Sequence, residues 1–278
     1  MKKILYTAIF VGALAMTSCS EDSEPAYSDS PQVSIRVNAP DAFTRSDGTW
    51  ATNLYYMVYE ISDGTTVMLT EEPEVISVAS YPVSIPAIDV LRGHSYGVLL
   101  WASAYDSEAT GPYTISWEEG TMTVDYTKAY ANNPDLDAFY AYQTFKVDGN
   151  VSLSVDLERP FAMINIGTST APASGSTSTI SVSDVPSSIN LFTGKVTGTA
   201  SNAEFVYTKV PVDTPYPVDG YTYLAYTYVL APKVPSTSSN ITYFYKEGNN
   251  NPISGSVEGV ALQANYRTNI YGALPSSN

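Results

Sequence analysis

From Gln32 onward no stretch carries a sustained apolar stripe of helical period, whereas short runs alternating apolar and polar residues recur between Gly, Pro, Asn and Asp clusters. That pattern restricts the chain to an all-β fold. Gln32 to Val37 sets Val33, Ile35 and Val37 against Ser34 and Arg36, and Asn53 to Ile61 reads as a more fully buried strand. Further strands are predicted at Thr65 to Leu69, Tyr81 to Ile85, Tyr96 to Ala104, Tyr113 to Trp117 and Phe139 to Val147. Only Ala87 to Leu91 and Lys128 to Asp137 have room for a helical turn or two. Val151 to Leu157 alternates strictly, breaks at Glu158-Arg159-Pro160 and resumes as Phe161 to Ile166, which places a domain boundary there. Gly167 to Thr179 reads as a mobile loop, and strands return at Ile180 to Val182, Ile189 to Phe192, Thr222 to Leu230, Ile241 to Lys246, Ile253 to Leu262 and Tyr266 to Tyr271. The spacing predicts two β-sandwich domains, residues 32–155 and 156–278, each large enough for its own core.

The start of the chain decides where those domains live. Lys2-Lys3, the apolar run Ile4 to Met16 and Thr17-Ser18 form a secretory signal over residues 1–18, too short to span a bilayer, which takes about 20 apolar residues. Cys19, the only cysteine, follows directly, as in a bacterial lipobox where the thiol is acylated and becomes the new N-terminus. Two or more acyl chains anchor stably, so Cys19 predicts a lipoprotein carrying palmitate-type chains at the cell outer membrane. Glu21-Asp22 resemble an export signal to the outer face, and residues 19–31 read as a flexible tether. Losing Lys2 and Lys3 moves the formal charge from −15 to −17. A surface this acidic repels phosphate backbones, so nucleic acid is not a partner. With Cys19 acylated, no disulfide forms within one chain, and stability rests on packing.

Four segments carry a family resemblance: Leu99-Leu100-Trp101-Ala102, Asp137-Ala138-Phe139-Tyr140, Leu157-Glu158-Arg159-Pro160-Phe161-Ala162, and Asn265-Tyr266-Arg267-Thr268-Asn269-Ile270-Tyr271-Gly272. The chain resembles the fimbrillin-like lipoproteins of type V pili, in particular a sub-family built on a domain of unknown function. The resemblance implies two tandem transthyretin-like Greek-key β-sandwiches. It also implies that a trypsin-like processing protease cuts after an arginine behind the first strand, and that another pilus subunit inserts a donor strand into the groove that opens. Arg45, in Phe43-Thr44-Arg45-Ser46-Asp47-Gly48, is the matching position; Arg36 lies within the strand and is the poorer site. Unpaired backbone beside an apolar trench is a template for strand addition. Only Ala273 to Asn278 follow Gly272, a reach of roughly 20 Å interrupted by Pro275, so the sequence suits accepting a strand better than donating one. An acceptor without a donor belongs at a filament tip or in an accessory position.

No residue set reads as catalytic or metal-binding, and no cofactor is expected. His94 is the only histidine and lies in the turn Arg92-Gly93-His94-Ser95; Glu118-Glu119 and the pair Asp135 and Asp137 read as solvated loop acids without the spacing that glycoside hydrolysis or calcium binding needs. Tyrosine supports a second function, because 23 Tyr against 8 Phe suggests exposed aromatic faces. On that alternative the chain is a monomeric surface lipoprotein binding glycan or host protein, with Tyr221, Tyr223, Tyr226 and Tyr228 divided between core and surface.

Overall fold

A computed structural model describes residues 30–39, 51–105, 111–198, 200–235 and 238–274. Cys19 and Arg45 lie outside these residues. The first half holds β1 (Gln32–Asn38), β2 (Asn53–Ser62), β3 (Thr65–Met68), β4 (Glu74–Ser77), β5 (Val83–Asp89), β6 (Ser95–Ser103), β7 (Tyr113–Ser116), β8 (Thr121–Val124), β9 (Phe139–Lys146) and β10 (Val151–Asp156). The second holds β11 (Phe161–Thr168), β12 (Thr177–Val185), β13 (Ser188–Asn190), β14 (Lys195–Thr197), β15 (Ala200–Glu204), β16 (Thr208–Lys209), β17 (Thr222–Leu230), β18 (Ser238–Lys246), β19 (Ile253–Ala261) and β20 (Arg267–Gly272). The helical segments among the described residues are two 3-10 turns, Tyr126–Lys128 and Pro134–Leu136.

One strand plan is drawn twice. In the first half β1 sits between β10, to which it runs parallel, and β5, to which it runs antiparallel; the facing sheet is ordered β3-β2-β6-β9. In the second half β11 sits between parallel β20 and antiparallel β17, facing a sheet ordered β15-β12-β18-β19. Each half is therefore a transthyretin-like Greek-key sandwich, and the chain passes from one plan to the other across residues 157–160.

Period-2 side chains split β2 and β6 between two cores. Leu54, Tyr56, Val58, Val98, Leu100 and Ala102 point to the first sandwich's interior together with Val33, Ile35 and Val37. Met57, Tyr59, Leu99 and Trp101, on the opposite face, join a larger core that runs on through Phe161, Ile164, Ile180 and Leu230 of the second half. What covers that outer face is a small sheet ordered β14-β13-β8-β7, in which β8 of the first half pairs antiparallel with β13 of the second, Met122 opposite Ile189. Gly120 turns between β7 and β8 with φ of +59°, and a Cβ there would lie 2.3 Å from the Phe192 ring. Only glycine allows both the left-handed backbone and that approach.

Three expectations are corrected. Ala87 to Leu91 is not helical, because β5 continues to Asp89 so that Ile88 pairs with Val33. The segment Gly167 to Thr179 is not all loop: β11 extends to Thr168 and β12 starts at Thr177, with the Ser178 hydroxyl donating to the Leu224 carbonyl at 2.5 Å. Asp137 is not solvated; it is fully buried against Arg159.

Candidate functional site

The β1 strand is built to be enclosed. Its alternation places Val33, Ile35 and Val37 at 0–1% exposure while Ser34 and Arg36 face solvent. Around the buried row stand Leu54, Val98, Leu100, Phe139, Val155 and Leu157. On one flank the register with β10 runs without a break from Val33 opposite Val151 to Asn38 opposite Asp156. On the other it runs from Gln32 opposite Asp89 to Val37 opposite Val83, with a bulge between Val33 and Ile35. The bulge takes up the irregularity without exposing the apolar row.

Both ends of β1 are pinned by polar contacts. The Gln32 backbone N–H donates to Asn150 Oδ1 at 3.1 Å and its side-chain amide to Asp89 Oδ1 at 3.1 Å. At the other end Asn38 Nδ2 donates to Ser154 Oγ at 2.9 Å and to Asp156 Oδ1 at 2.7 Å, while the Leu157 N–H reaches the Asn38 carbonyl at 3.3 Å. Taking β1 away would strip backbone partners from two strands at once and open a trench along the first core. At about 1.5–3 kcal/mol per buried Val or Ile side chain, its three apolar residues contribute roughly 5–9 kcal/mol. That is comparable to the whole stability of a typical domain, about 5–15 kcal/mol. An empty groove would thus be a poor resting state for the sandwich.

Three of the four motifs of the resemblance meet elsewhere, at the joint between the two strand plans. Arg159 Nε donates to Asp137 Oδ1 at 2.5 Å and its Nη2 to Asp137 Oδ2 at 2.8 Å, a bidentate pair with both side chains at 0–1% exposure. The guanidinium lies 5.0 Å from the Phe139 ring centroid and Nη1 reaches Asn265 Oδ1 at 3.3 Å. Asn265, at φ of +63°, sends its backbone N–H to the Phe161 carbonyl at 2.9 Å. Three segments distant in sequence are thereby tied at one buried point. A second tie is Asn132, whose Oδ1 accepts from the Tyr226 N–H at 2.8 Å and whose carbonyl accepts from the Tyr226 hydroxyl at 2.8 Å.

The remaining sequence candidates fall apart spatially. His94 Nδ1 meets Glu60 Oε1 at 2.5 Å on an exposed edge, and among the described residues no three His, Cys, Asp or Glu side chains cluster as metal ligands. Glu118 and Glu119 are exposed in the turn before Gly120. The tyrosines on β17, Tyr223, Tyr226 and Tyr228, are buried and only Tyr221, just before the strand, is part-exposed, so β17 presents no aromatic platform. The β17 rings instead join a chain of edge contacts that starts at Tyr216 before the strand, Tyr216 to Tyr223 at 4.9 Å and Tyr223 to Tyr226 at 5.5 Å. Sequence reasoning missed β8, β13's cross-pairing and the Asp137–Arg159 joint; the short run Thr121–Val124 after Gly120 was the available signal for β8.

Several crystal structures resemble the chain at low identity. A fimbrial assembly protein from Parabacteroides distasonis is 13% identical with a TM-score of 0.45, the match covering 89% of this chain and 92% of that one. A candidate cell adhesion protein from Bacteroides uniformis is 14% identical with a TM-score of 0.48, covering 87% and 94%. Another from Bacteroides ovatus is 12% identical with a TM-score of 0.47, covering 87% and 92%. Likeness at this level assigns no function. No curated protein matches the chain at a significant level. A family model, described as a family of unknown function (DUF6562), matches residues 27–277, a span that takes in every strand from β1 to β20, and the chain belongs to that family.

Proposed function

We propose that the chain is a non-enzymatic, outer-membrane surface lipoprotein of fimbrial type, anchored through Cys19, that accepts a strand from another pilus subunit after a trypsin-like protease cuts at Arg45. The observation that carries this reading is the position of β1: a central strand, buried on its apolar face, held on both flanks by non-covalent pairing. Arg45 lies between β1 and β2 in sequence, so a cut after it severs the covalent link from β1 to the strands that hold it. An incoming strand with the same alternation then inherits the same backbone partners and the same three pockets. β20 is engaged along Arg267–Gly272 in its own sandwich, which favours an acceptor at the tip or in an accessory position over a shaft subunit that must also donate.

Strand exchange tests the reading. The purified chain is cut at Arg45 by a trypsin-like protease and incubated with a labelled peptide spanning Pro31 to Ala39. Uptake by cut protein, and none by uncut protein or an uncleavable Arg45→Ala variant, is the expected result. A cut chain that retains its own β1 and never takes up the peptide would argue against strand acceptance.

A further inference from the structure

Between the outer face of β2 and β6 and the neighbouring β7 lies a cleft of about 360 Å³, lined by Tyr55, Glu72, Trp101, Tyr105, Tyr113 and Trp117 among others. Its volume falls within the usual size of a small-molecule site, roughly 300–1,000 Å³. Trp101 and Tyr113 are deeply buried, whereas Tyr55, Tyr105 and Trp117 are half-buried. The Trp101 and Tyr113 rings stand 5.5 Å apart at 73°, and the Tyr105 and Tyr113 rings 6.0 Å apart at 77°. Rings at near right angles make the corner of a box rather than a flat shelf.

The polar ends of this lining are already engaged. The Tyr55 hydroxyl donates to the Tyr105 carbonyl at 3.3 Å, the Tyr113 hydroxyl donates to the Leu136 carbonyl, and Asn133 Nδ2 donates to the Tyr105 hydroxyl at 3.3 Å. Ser103 Oγ donates to the Tyr105 carbonyl at 3.2 Å and accepts from the Tyr105 N–H at 3.1 Å. Burial first, then the charge of Asp135, pushes the Tyr105 phenol up to about 12, so this ring of the lining is neutral at ordinary pH. What remains on offer is aromatic face and the exposed carboxylate of Glu72; no Lys, Arg or His is in the lining.

We propose that this cleft binds a small organic cation of the alkylammonium class, with a choline-like head group inside the ring box and Glu72 as counter-charge. Electron-rich ring faces attract a methylated ammonium, which sheds its weak hydration readily. Glu72 and the chain's formal charge of −15 favour a cation and repel an anion. A neutral sugar of similar size would stack on one ring but find few donors, because the Tyr55, Tyr113 and Ser103 hydroxyls already donate to backbone carbonyls.

Two of the chain's three tryptophans, Trp101 and Trp117, line the cleft, so intrinsic fluorescence reports on it directly. The full chain is titrated with choline chloride and, at matched ionic strength, with 3,3-dimethylbutan-1-ol, the uncharged carbon isostere of choline. A saturable fluorescence change with choline, and binding about ten-fold weaker or more for the alcohol, is expected for charge recognition by rings and a carboxylate. Glu72→Gln, an exposed position, should weaken choline binding several-fold while leaving the thermal midpoint unchanged; Trp117→Leu should weaken it further. Equal affinity for choline and the alcohol would overturn the proposal in favour of a merely apolar cleft. A response to methyl glycosides but not to choline would overturn it in favour of a sugar site, and no saturable response at millimolar choline would overturn it outright.

Discussion

Asp137 and Arg159 illustrate how a residue's surroundings change its meaning. In sequence, Asp137 stands beside Pro134 and Asp135 and reads as a loop acid; in the fold it is closed over by the second sandwich, and the guanidinium 22 positions later satisfies both its oxygens. Removing one partner leaves a buried charge without its counter-ion, a loss of about 3–5 kcal/mol. Asp137→Ala should therefore lower stability by that amount in urea unfolding, whereas replacing both residues with apolar ones of similar volume should cost distinctly less. Gly120 offers an independent check on the joint. Alanine there meets both a positive φ and the Phe192 ring, so Gly120→Ala should destabilise by roughly 1–3 kcal/mol, read as a lower urea midpoint. The segments Leu157 to Ala162 and Asn265 to Gly272 were legible as motifs. Their meeting at one point was not, because nothing local specifies a contact spanning 106 positions.

At the scale of elements, alternation was the informative signal. Val33, Ile35 and Val37 announced a strand with one buried face, and the structure buries that face completely. Its neighbours were not readable, since pairing with β10 joins residues 118 positions apart and a parallel register leaves no turn between the strands. The cross-pairing of β8 with β13 was hidden for another reason: strands of three or four residues carry too little alternation to stand out, and their stability comes from the Tyr59 and Phe192 rings packed beneath them. If the groove depends on the β1 side chains as described, Ile35→Ala should destabilise the first sandwich by roughly 2–5 kcal/mol in denaturant titration. The same change in the labelled peptide should slow or abolish its uptake by cut protein. Because about 5–9 kcal/mol of burial holds β1, the cut chain should migrate intact on a native gel until a competing strand is added.

For the whole molecule, buried tyrosine makes alkali the sensitive side. Burial pushes the Tyr140 and Tyr105 phenols up to about 12, with smaller contributions from Glu158 and Asp135 respectively, and raises Tyr126, Tyr216 and Tyr226 as well. In the unfolded chain these groups ionise near 10, so above that pH the unfolded state gives up protons that the folded state retains. Stability should be full below pH 10 and fall as pH rises through about 12, with thermal midpoints dropping steeply and the absorbance of the buried tyrosinates appearing together with unfolding. Tyrosine abundance was visible in the sequence; the use of Tyr223, Tyr226 and Tyr228 as core filler depends on two sandwiches closing over shared faces, while Tyr130, Tyr207, Tyr266 and Tyr271 stay exposed. The same architecture frames the central claim, that β1 is a replaceable part. The most direct test is intact mass and N-terminal sequencing of the protein recovered from cells, comparing the membrane fraction with sheared surface filaments. The account predicts a filament species beginning at Ser46, with β1 and the lipid left behind. A single species beginning at acylated Cys19 and confined to membranes would contradict it.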